Sequence, residues 1–465
     1  MHQPAKKFTA LLLLGLLFGL IGRSTALSLN PPLIKQEQPM TVEELIDIAL
    51  ENHSAYRKAV EDKNFMLKGI KVAYAQFLPR VNLYANYSDS RYKNPRYANV
   101  TVVDPVTGQL TSMDQSVTKT TSNSWTLSMN QDLWLGGSRF YYLKRAQLML
   151  SSGDLALASS RDRIMYEVKS AVFAFLANQD LVNLHREILD LRRESLRLAQ
   201  ARFATGDVIE LDVMQAEIDV GMAENNLLTA EQNLEKAREA LNLVIGADLE
   251  SRYPINGDFK PVLPAADPEK LVQVALSTNP TYRTMDQNVR ISEQDVKIAG
   301  ANMLPTISLN GSLSRQERAS GYNKFLLNPQ EESRSVSLNL SWTVFNRFEN
   351  NYRKQQSVVE KRKAMLDRRD SSQQISASVR NNWRDLTRLY EQLIVTEKNS
   401  DLARKQLELE QERYRLGATS QLNLRSAQVT FIQAENEHIT KVYEFFTTRA
   451  ALEQDLGRPL EEAIQ

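Results

Sequence analysis

The 465-residue chain contains no cysteine, which excludes disulfide bonds, thiolate metal sites and a lipid-modified N-terminal cysteine. It carries almost no net charge, with 57 Lys and Arg against 56 Asp and Glu, and this balance gives no reason to expect nucleic acid as a partner. Glycine and proline are scarce, at 17 and 15 residues, and they concentrate at a few points. The stretches between those points are therefore free to form long helices.

Residue groups that carry catalysis are missing as well. The sequence contains no phosphate-binding loop, no nucleophile elbow and no metal-binding cluster. The four histidines are scattered, at His2, His53, His185 and His438. The sequence therefore predicts a protein that is not an enzyme and that uses no cofactor and no metal.

Residues 1–26 have the features of a secretory signal peptide. Lys6 and Lys7 form a basic start, Leu11 to Ile21 is an apolar run, and small residues around Ala26 form a cleavage site. A membrane-spanning helix needs about 20 residues, so the apolar run is short, although an N-terminal membrane anchor is the alternative. No other segment has the pattern of a transmembrane helix. The sequence predicts export, and a membrane span of the mature chain must use another structure.

The remaining chain contains an internal duplication. Leu78-Pro79 and Leu304-Pro305 lie 226 positions apart in two similar segments, AYAQFLPRVNLYANYS and AGANMLPTISLNGSLS. Two further similar segments begin at Arg202 and Arg413, at an offset of 211, so the first repeat carries 15 extra residues between these anchors. The predicted domains are the first repeat at 27–247, a linker at 248–267, the second repeat at 268–460 and a tail at 461–465.

Each repeat has the pattern of three helices. Pro79 and Pro305 end the opening helices at helix-to-strand junctions, because the residue before a proline avoids the helical conformation. Later in each repeat, 67 residues without a helix breaker are enough for a helix of about 100 Å. The predicted helices are 42–78, 138–204 and 208–245 in the first repeat and 268–304, 349–415 and 421–456 in the second. An opening and a return helix stacked end to end would match a long helix in length.

The long helices carry apolar residues at heptad spacing, which is typical of coiled-coil packing. In the first repeat this seam consists of Leu181, Leu184, Ile188, Leu191 and Leu198. Gly206 and Gly417 are suited to left-handed caps at the ends of the long helices. Asp207 with Glu210 has the spacing of a capping box for the first return helix.

Between the opening and the long helices the periodicity changes to two. Strands are predicted at 80–89, 124–134, 306–314 and 335–345, where apolar residues alternate with Ser, Thr and Asn. About ten residues suffice for a tilted membrane strand, and hydroxyl and amide side chains suit a wet lumen. Polar outward loops would join the strands near 91–122 and 316–334. A half-buried sheet in a soluble domain is the alternative. The predicted aromatic girdle consists of Trp125, Trp134, Trp342 and Phe345.

Together these features resemble the outer membrane efflux protein (TolC) family. The resemblance covers 40–460 and rests on the duplicated element order, the Leu-Pro junctions and an Arg-aromatic-x-x-Gly turn in each repeat. It implies a mainly α-helical fold with a transmembrane β-barrel part. Duplicated coiled-coil hairpins and four membrane strands per chain would close, in a homotrimer, as a 12-stranded barrel and an α-helical tunnel. Four strands alone cannot close a barrel, and an open edge in lipid leaves backbone groups unsatisfied.

The resemblance implies a passive conduit in the bacterial outer membrane with a long periplasmic portion. It would carry small molecules or drugs as part of a tripartite efflux system. Its partners would be outer membrane lipid, a periplasmic adaptor (membrane fusion) protein and an inner membrane pump or ABC transporter. The first alternative is the outer membrane component of a type I protein secretion system. The second is a periplasmic coiled-coil structural or adaptor protein.

The resemblance also implies that the turns between long and return helices close the tunnel and dock the adaptor. These positions are Arg202, Phe203, Gly206, Asp207 and Asp212, with Arg413, Tyr414, Gly417, Ala418 and Thr419 in the second repeat. Asn423 and Ser426 stand where the best-known family member has aspartates, and Thr419 where it has an arginine. A pair of Asp212 with Arg413 or Arg415 is the substitute hypothesis for an acidic gate. Plain capping is the alternative role of the glycines, and coiled-coil packing that of Phe203 and Tyr414.

Overall fold

The computed structural model describes residues 34, 38–93, 100–103, 107–113, 117–256, 259–320 and 331–464. The predicted signal peptide and parts of the predicted outward loops lie outside these residues. The helices are α1 (Val42–Asn52), α2 (Ser54–Ala75), α3 (Ser138–Ala204), α4 (Glu210–Ile245), α5 (Pro268–Thr278), α6 (Pro280–Ala301), α7 (Glu349–Arg415), α8 (Gln421–Leu456) and α9 (Leu460–Ile464). The strands are β1 (Arg80–Lys93), β2 (Val100–Val103), β3 (Leu110–Met113), β4 (Val117–Leu135), β5 (Thr306–Ser320) and β6 (Glu331–Ser341).

The prediction of one unbroken opening helix in each repeat is wrong, because each consists of two helices. The breaks fall at His53 and Asn279, whose backbones are not helical and whose side chains cap the following helices. His53 Nδ1 accepts from the backbone N–H of Ala55 at 3.2 Å, and Asn279 Oδ1 accepts from that of Tyr282 at 3.1 Å. The helical periodicity continues across both breaks, so the apolar pattern alone does not reveal them.

The return helices end against these two breaks. A Cβ placed on Gly246, the C-cap of α4, would lie 3.1 Å from the carbonyl carbon of Asn52, and one on Gly457, the C-cap of α8, would lie 3.1 Å from Asn279 Cα. Thr278 Oγ1 donates to the carbonyl oxygen of Leu456 at 2.6 Å. Each return helix is therefore continued by the second part of an opening helix, and both parts contact a long helix.

Replacing Asn279 with alanine is expected to destabilise the protein by about 1–2 kcal/mol. The change removes the cap of α6 and the 2.8 Å bond that Asn279 Nδ2 donates to the carbonyl oxygen of Asp455. Thermal unfolding of the purified protein measures the loss. Asn52→Ala is the matched control, because the amide of Asn52 bonds only within its own helix, to Ile48. Equal losses in the two variants would contradict a stabilising role for this junction.

The long helices form one layer with the opening and return helices. Near the sheet the order of contacts is α2–α3–α6–α7. Near the turns that join the long and return helices, which form the helical tip, the order is α4–α3–α8–α7. Thus α7 forms one edge of the layer over its whole length, while α2 and α4 form the other edge. Residues of the short helices α1, α5 and α9, among them Leu45, Leu271 and Leu460, share one buried core with Val168 and Leu386 of the long helices.

The four-stranded sheet is antiparallel in the order β1–β4–β5–β6, which leaves β1 and β6 as edges. Strands β1, β4 and β5 extend beyond their predicted bounds. Strand β6 begins earlier than predicted and ends at Ser341, before Trp342 and Phe345. The β2–β3 hairpin lies within the predicted loop at 91–122. The register places Met129, Gly311 and Val336 in one row across β4, β5 and β6, and Ser128, Ser312 and Ser335 in the next row. Apolar and polar residues therefore occupy opposite faces of the sheet.

The apolar face of the sheet is uncovered in the described part of the chain. Val336, Leu338 and Leu340 are exposed by 82%, 67% and 71%. On the polar face the hydroxyl oxygens of Ser312 and Ser335 lie 2.8 Å apart. A half-buried sheet of a soluble domain would cover its apolar face, and this sheet does not.

Candidate functional site at the helical tip

The turns that join the long and the return helices have the same geometry in both repeats. Gly206 and Gly417 adopt left-handed backbone conformations, with φ of 83° and 75°. The backbone N–H of Asp207 donates to the carbonyl oxygen of Arg202 at 2.9 Å, and that of Ala418 donates to Arg413 at 2.8 Å. These bonds close the last turns of α3 and α7 in the manner of a glycine C-cap.

The predicted capping box of Asp207 and Glu210 is wrong. The N-cap of α4 is Ile209, which makes no side-chain cap bond. The carboxylate of Asp207 instead accepts from Thr205 Oγ1 at 3.0 Å, on the other side of the turn. In the second repeat Ser420 fills the cap position and its hydroxyl accepts from the backbone N–H of Asn423 at 3.3 Å. Thus α4 begins two residues later than predicted.

Arg202 and Tyr414 join the tips of the two repeats. Tyr414 is 1% exposed, and the guanidinium carbon of Arg202 lies 5.0 Å from the centre of its ring. Burial raises the pKa of the Tyr414 hydroxyl, an effect that the charge of Arg202 opposes and that of Asp212 reinforces. The Tyr414 hydroxyl has no hydrogen-bond partner in the described part of the chain. Arg202 Nη1 also donates to the backbone carbonyl oxygen of Tyr414 at 3.5 Å. The contact therefore combines a cation–π interaction with a long hydrogen bond to the backbone, and the Tyr414 hydroxyl takes no part in it.

Arg202→Ala is expected to weaken the contact between the two tips by about 0.5–2 kcal/mol, the range of a desolvated cation–π contact. Because these turns are the predicted gate, the frequency of spontaneous openings in single-channel recordings should rise. Arg413→Ala is the matched control, because Arg413 pairs at 2.6 Å with Glu410 of its own helix. Tyr414→Phe keeps the ring and removes only the unpartnered hydroxyl, so it should open no more often than the wild type. More frequent openings in Tyr414→Phe would contradict the cation–π assignment.

Several other predicted tip residues bond within their own turns. In the single chain Arg413 and Arg415 pair with Glu410 and Glu412 of α7, and a pair of either arginine with Asp212 stays a prediction. Asn423 Nδ2 donates to Thr419 Oγ1 at 3.1 Å.

Solvent reaches several of these positions. Phe203, Gly206, Ala418 and Ser426 are exposed, and the exposed fraction of Phe203 is 46%. Their gate and docking roles stay predictions.

A buried polar cluster above the tip was not predicted. Arg192 of α3 and Asp219 of α4 are 9% and 8% exposed. Arg192 Nη1 lies 3.4 Å from one carboxylate oxygen of Asp219 and also donates to Gln428 of α8, while Arg425 Nη2 lies 3.2 Å from the other oxygen. Gln428 Nε2 donates to Ser195 Oγ at 3.0 Å. The cluster ties three helices together.

One signal for the cluster was present in the sequence. The heptad seam of the first long helix steps directly from Leu191 to Leu198 and leaves the polar Ser195 at the position between them. Burial lowers the pKa of Arg192. The negative charge of Asp219 opposes this shift, and the positive charge of Arg425 adds to it.

The junction between sheet and helices contains the predicted prolines and most of the predicted girdle. Pro79 lies between a single turn at the end of α2 and the first residue of β1. Pro305 has the same place between α6 and β5. Trp134 and Phe345 are exposed at this end, and Trp342 Nε1 donates to the carbonyl oxygen of Met303 at 3.2 Å.

Trp125 lies elsewhere. Trp125 of β4 pairs with Ala85 of β1, several rows farther from the helices than Trp134. The guanidinium of Arg315 stacks over its ring at 5.5 Å. The membrane-surface roles of the four aromatic residues stay predictions.

Comparison with known proteins covers nearly the whole chain. A family model described as "Outer membrane efflux protein" matches residues 45–247 and 271–458. The chain belongs to the outer membrane efflux protein family. The resemblance and the fold class predicted from the sequence are thereby confirmed, and the alternative of a periplasmic structural or adaptor protein is overturned.

Relatives of this efflux protein include two curated Pseudomonas proteins. The pyoverdine export outer membrane protein OpmQ of Pseudomonas aeruginosa is 22% identical over 365 residues, which are 78% of this chain and 74% of that protein. The toluene efflux pump outer membrane protein TtgC of Pseudomonas putida is 23% identical over 431 residues, 90% of this chain and 82% of that protein. Among solved structures, the CusC channel superposes with a TM-score of 0.74 at 16% identity, covering 94% of this chain and 99% of that one.

The family model and both curated relatives are described as outer membrane proteins, which places this efflux protein in the outer membrane. No helix in the described ranges has the length and apolar character that crossing a bilayer requires. The described side chains include no group of three or more His, Asp or Glu arranged to hold a metal ion.

Proposed function

We propose that this protein is the outer membrane channel-tunnel of a tripartite efflux system, a passive conduit for small molecules or drugs. The observation that carries the proposal is the two-sided sheet. Its uncovered face is apolar, with Val336, Leu338 and Leu340 all more than 60% exposed, and its other face presents hydroxyl and amide groups. A barrel between lipid and a wet lumen needs this arrangement. The 67-residue helices α3 and α7 extend the conduit by about 100 Å.

A homotrimer would complete the barrel. The strands β1 and β6 are edges of the four-stranded sheet, and an open edge in lipid costs several kcal/mol for each unsatisfied backbone group. Three copies supply twelve strands, and β6 of one copy would pair with β1 of the next.

The helical edges support the same assembly. On α7 and its C-cap, exposed apolar residues recur every seven positions, at Val395, Leu402, Leu409 and Leu416. On α4, at the opposite edge of the layer, an exposed apolar stripe consists of Leu211, Met214, Ile218 and Met222. Heptad spacing predicts coiled-coil packing, so the α7 stripe of one copy would pack on the α4 stripe of its neighbour.

Leu409→Glu is expected to weaken the trimer, because it places a charge in this seam at a side chain that is 67% exposed in the single chain. The fraction that runs as a trimer in mild detergent electrophoresis should fall at least several-fold. Leu409→Met is the matched control and should keep the trimer, since methionine fills the same space. An unchanged trimer in Leu409→Glu would contradict the seam.

The tip would dock a periplasmic adaptor. Ile209 and Leu422 are exposed by 63% and 73% at the start of the two return helices, beside the turns that hold Phe203 and Ala418. An adaptor that covered these side chains would remove apolar surface from water. An inner membrane pump or ABC transporter, joined through the adaptor, would supply the energy that a passive conduit lacks.

Single-channel recording of the purified protein in a planar bilayer tests the proposal. Discrete openings from a detergent-stable trimer are the expected result, and a soluble monomer that never inserts would overturn it. Deletion of the gene in its host should increase sensitivity to small toxic molecules. Loss of an exported protein without any change in sensitivity would favour the type I secretion alternative.

A further inference from the structure

The apolar band of the sheet ends at a cluster of charged residues on the same face. Register places Arg334 beside Leu313 and Glu332 beside Arg315, so these charged side chains alternate in phase with Val336 and the lipid-facing residues that follow it. The helices are attached at the other end of the sheet. The charged cluster therefore lies at the outer end of the band, where the lipid headgroups of the outer leaflet would be.

Within the cluster the carboxylate of Glu332 pairs with the guanidinium groups of both Arg315 and Arg334. Arg315 Nε and Nη2 lie 2.9 and 2.8 Å from Glu332 Oε2, and Arg334 Nε and Nη2 lie 2.7 and 2.5 Å from Oε1. The ring of Trp125 supports Arg315 from one side. The side chain of Arg334 is 78% exposed in the single chain, and it would stay on the same face of the sheet when β6 pairs with β1 of the next copy. The cluster keeps one net positive charge, and its two guanidiniums retain further N–H donors.

We propose that Arg315 and Arg334 bind the phosphate group of an outer-leaflet lipid. Guanidinium groups form paired hydrogen bonds with phosphate and are less strongly hydrated than ammonium groups. A phosphate would neutralise the net positive charge of the cluster. The acyl chains would lie along Val336, Leu338 and Leu340, the next residues of the same face toward the helices. The two features are continuous on one face, which favours a phospholipid-like ligand over a free anion.

A plain surface ion pair does not account for this arrangement. Exposed pairs contribute little in water, and one carboxylate between two arginines brings like charges together. The cluster also does not face the lumen, because residues of the lumenal face alternate with it and are Ser333, Ser335 and Ser337. The inference rests on the outer membrane placement and not on conductance, so it is tested separately from the proposed function.

Native mass spectrometry of the purified trimer with diphosphorylated lipid A as probe tests the proposal. Arg334→Gln is expected to reduce binding by about tenfold, the loss of charge-assisted hydrogen bonds. Arg353→Gln is the matched control, because Arg353 is a similarly exposed arginine paired with one glutamate on α7, and it should bind as the wild type does. Glu332→Gln should bind more lipid A than the wild type, a gain that misfolding cannot produce.

Three outcomes would overturn the proposal. Equal binding by the wild type and Arg334→Gln would show that the cluster holds no lipid. Equal binding of dephosphorylated lipid A would show that the phosphate is not recognised. Displacement of lipid A by an equal concentration of inorganic phosphate would show a site for a free anion instead of a lipid.

Discussion

Gly136→Ala is expected to destabilise the protein by about 3–5 kcal/mol, from overpacking added to left-handed backbone strain. Gly136 lies at the junction between β4 and α3 with φ of 60°. A Cβ at this position would lie 2.4 Å from the carbonyl oxygen of Ala301 and 3.0 Å from Leu304 Cβ. Because the closest atom belongs to the backbone at the end of α6, relief requires a shift between the two repeats. Thermal unfolding and the yield of folded trimer measure the effect.

The neighbouring glycine provides the control. Gly137 also has a left-handed backbone, with φ of 82°, but the nearest atom to its added Cβ is 3.8 Å away, on Trp134. Gly137→Ala therefore carries the backbone strain of about 1–2 kcal/mol without the clash. If the two variants unfold at the same temperature, the close approach of Gly136 to Ala301 does not determine the stability of the junction.

Asp219→Ala is expected to cost about 3–5 kcal/mol, because it leaves Arg192 buried without its carboxylate partner. The two side chains are 11% and 8% exposed, and Arg425 would remain nearby as a second positive charge. Since the cluster joins α3, α4 and α8 above the tip, its loss should also increase spontaneous openings. Denaturant unfolding measures the first effect and single-channel recording the second.

An exposed ion pair between the same two helices is the control for Asp219. Arg193 and Glu224 lie 2.9 Å apart with side chains 55% and 50% exposed, so Glu224→Ala should cost at most about 1 kcal/mol. Replacement of both buried partners, as Asp219→Leu with Arg192→Met, should recover much of the stability, since no buried charge is then left unpaired. A loss in Asp219→Ala no larger than that in Glu224→Ala would show that the cluster contributes little.

The alternation of residues in β1 and β6 shows how much of the sheet could be predicted from the sequence. A strand repeats every two residues whatever it packs against, so the apolar and polar faces could be assigned before the sheet was seen. The strand bounds could not, because pairing with a neighbour decides where a strand ends: β5 continues past its apolar residues, whereas β6 ends before Trp342 and Phe345. Arg315 and Glu332 belong to strands that continue into segments predicted to be loop.

The opening helices show the opposite case. Residues 42–52 and 54–75 share one helical periodicity, and nothing in that pattern separates them. The break at Asn279 had a local signal, since Pro280 disfavours a helical conformation at the residue before it. The break at His53 had none of comparable strength. Its position corresponds to the end of α4, where Gly246 meets Asn52, a contact between segments almost 200 residues apart.

At the tip, too, the local structure was predicted from the sequence and the long-range contacts were not. The glycine turns were predicted because a left-handed C-cap depends on the local chain. The partners of the tip side chains were not, since Arg202 meets Tyr414 from the other repeat, and Arg413 and Arg415 pair within their own helix. Sequence alone thus determined the duplication, the long helices, the two-sided strands and the family. Only the tertiary structure decided the break at His53, the Arg192–Asp219 cluster and the Arg202–Tyr414 contact, because periodicity and capping are local whereas these interactions join residues brought together by packing.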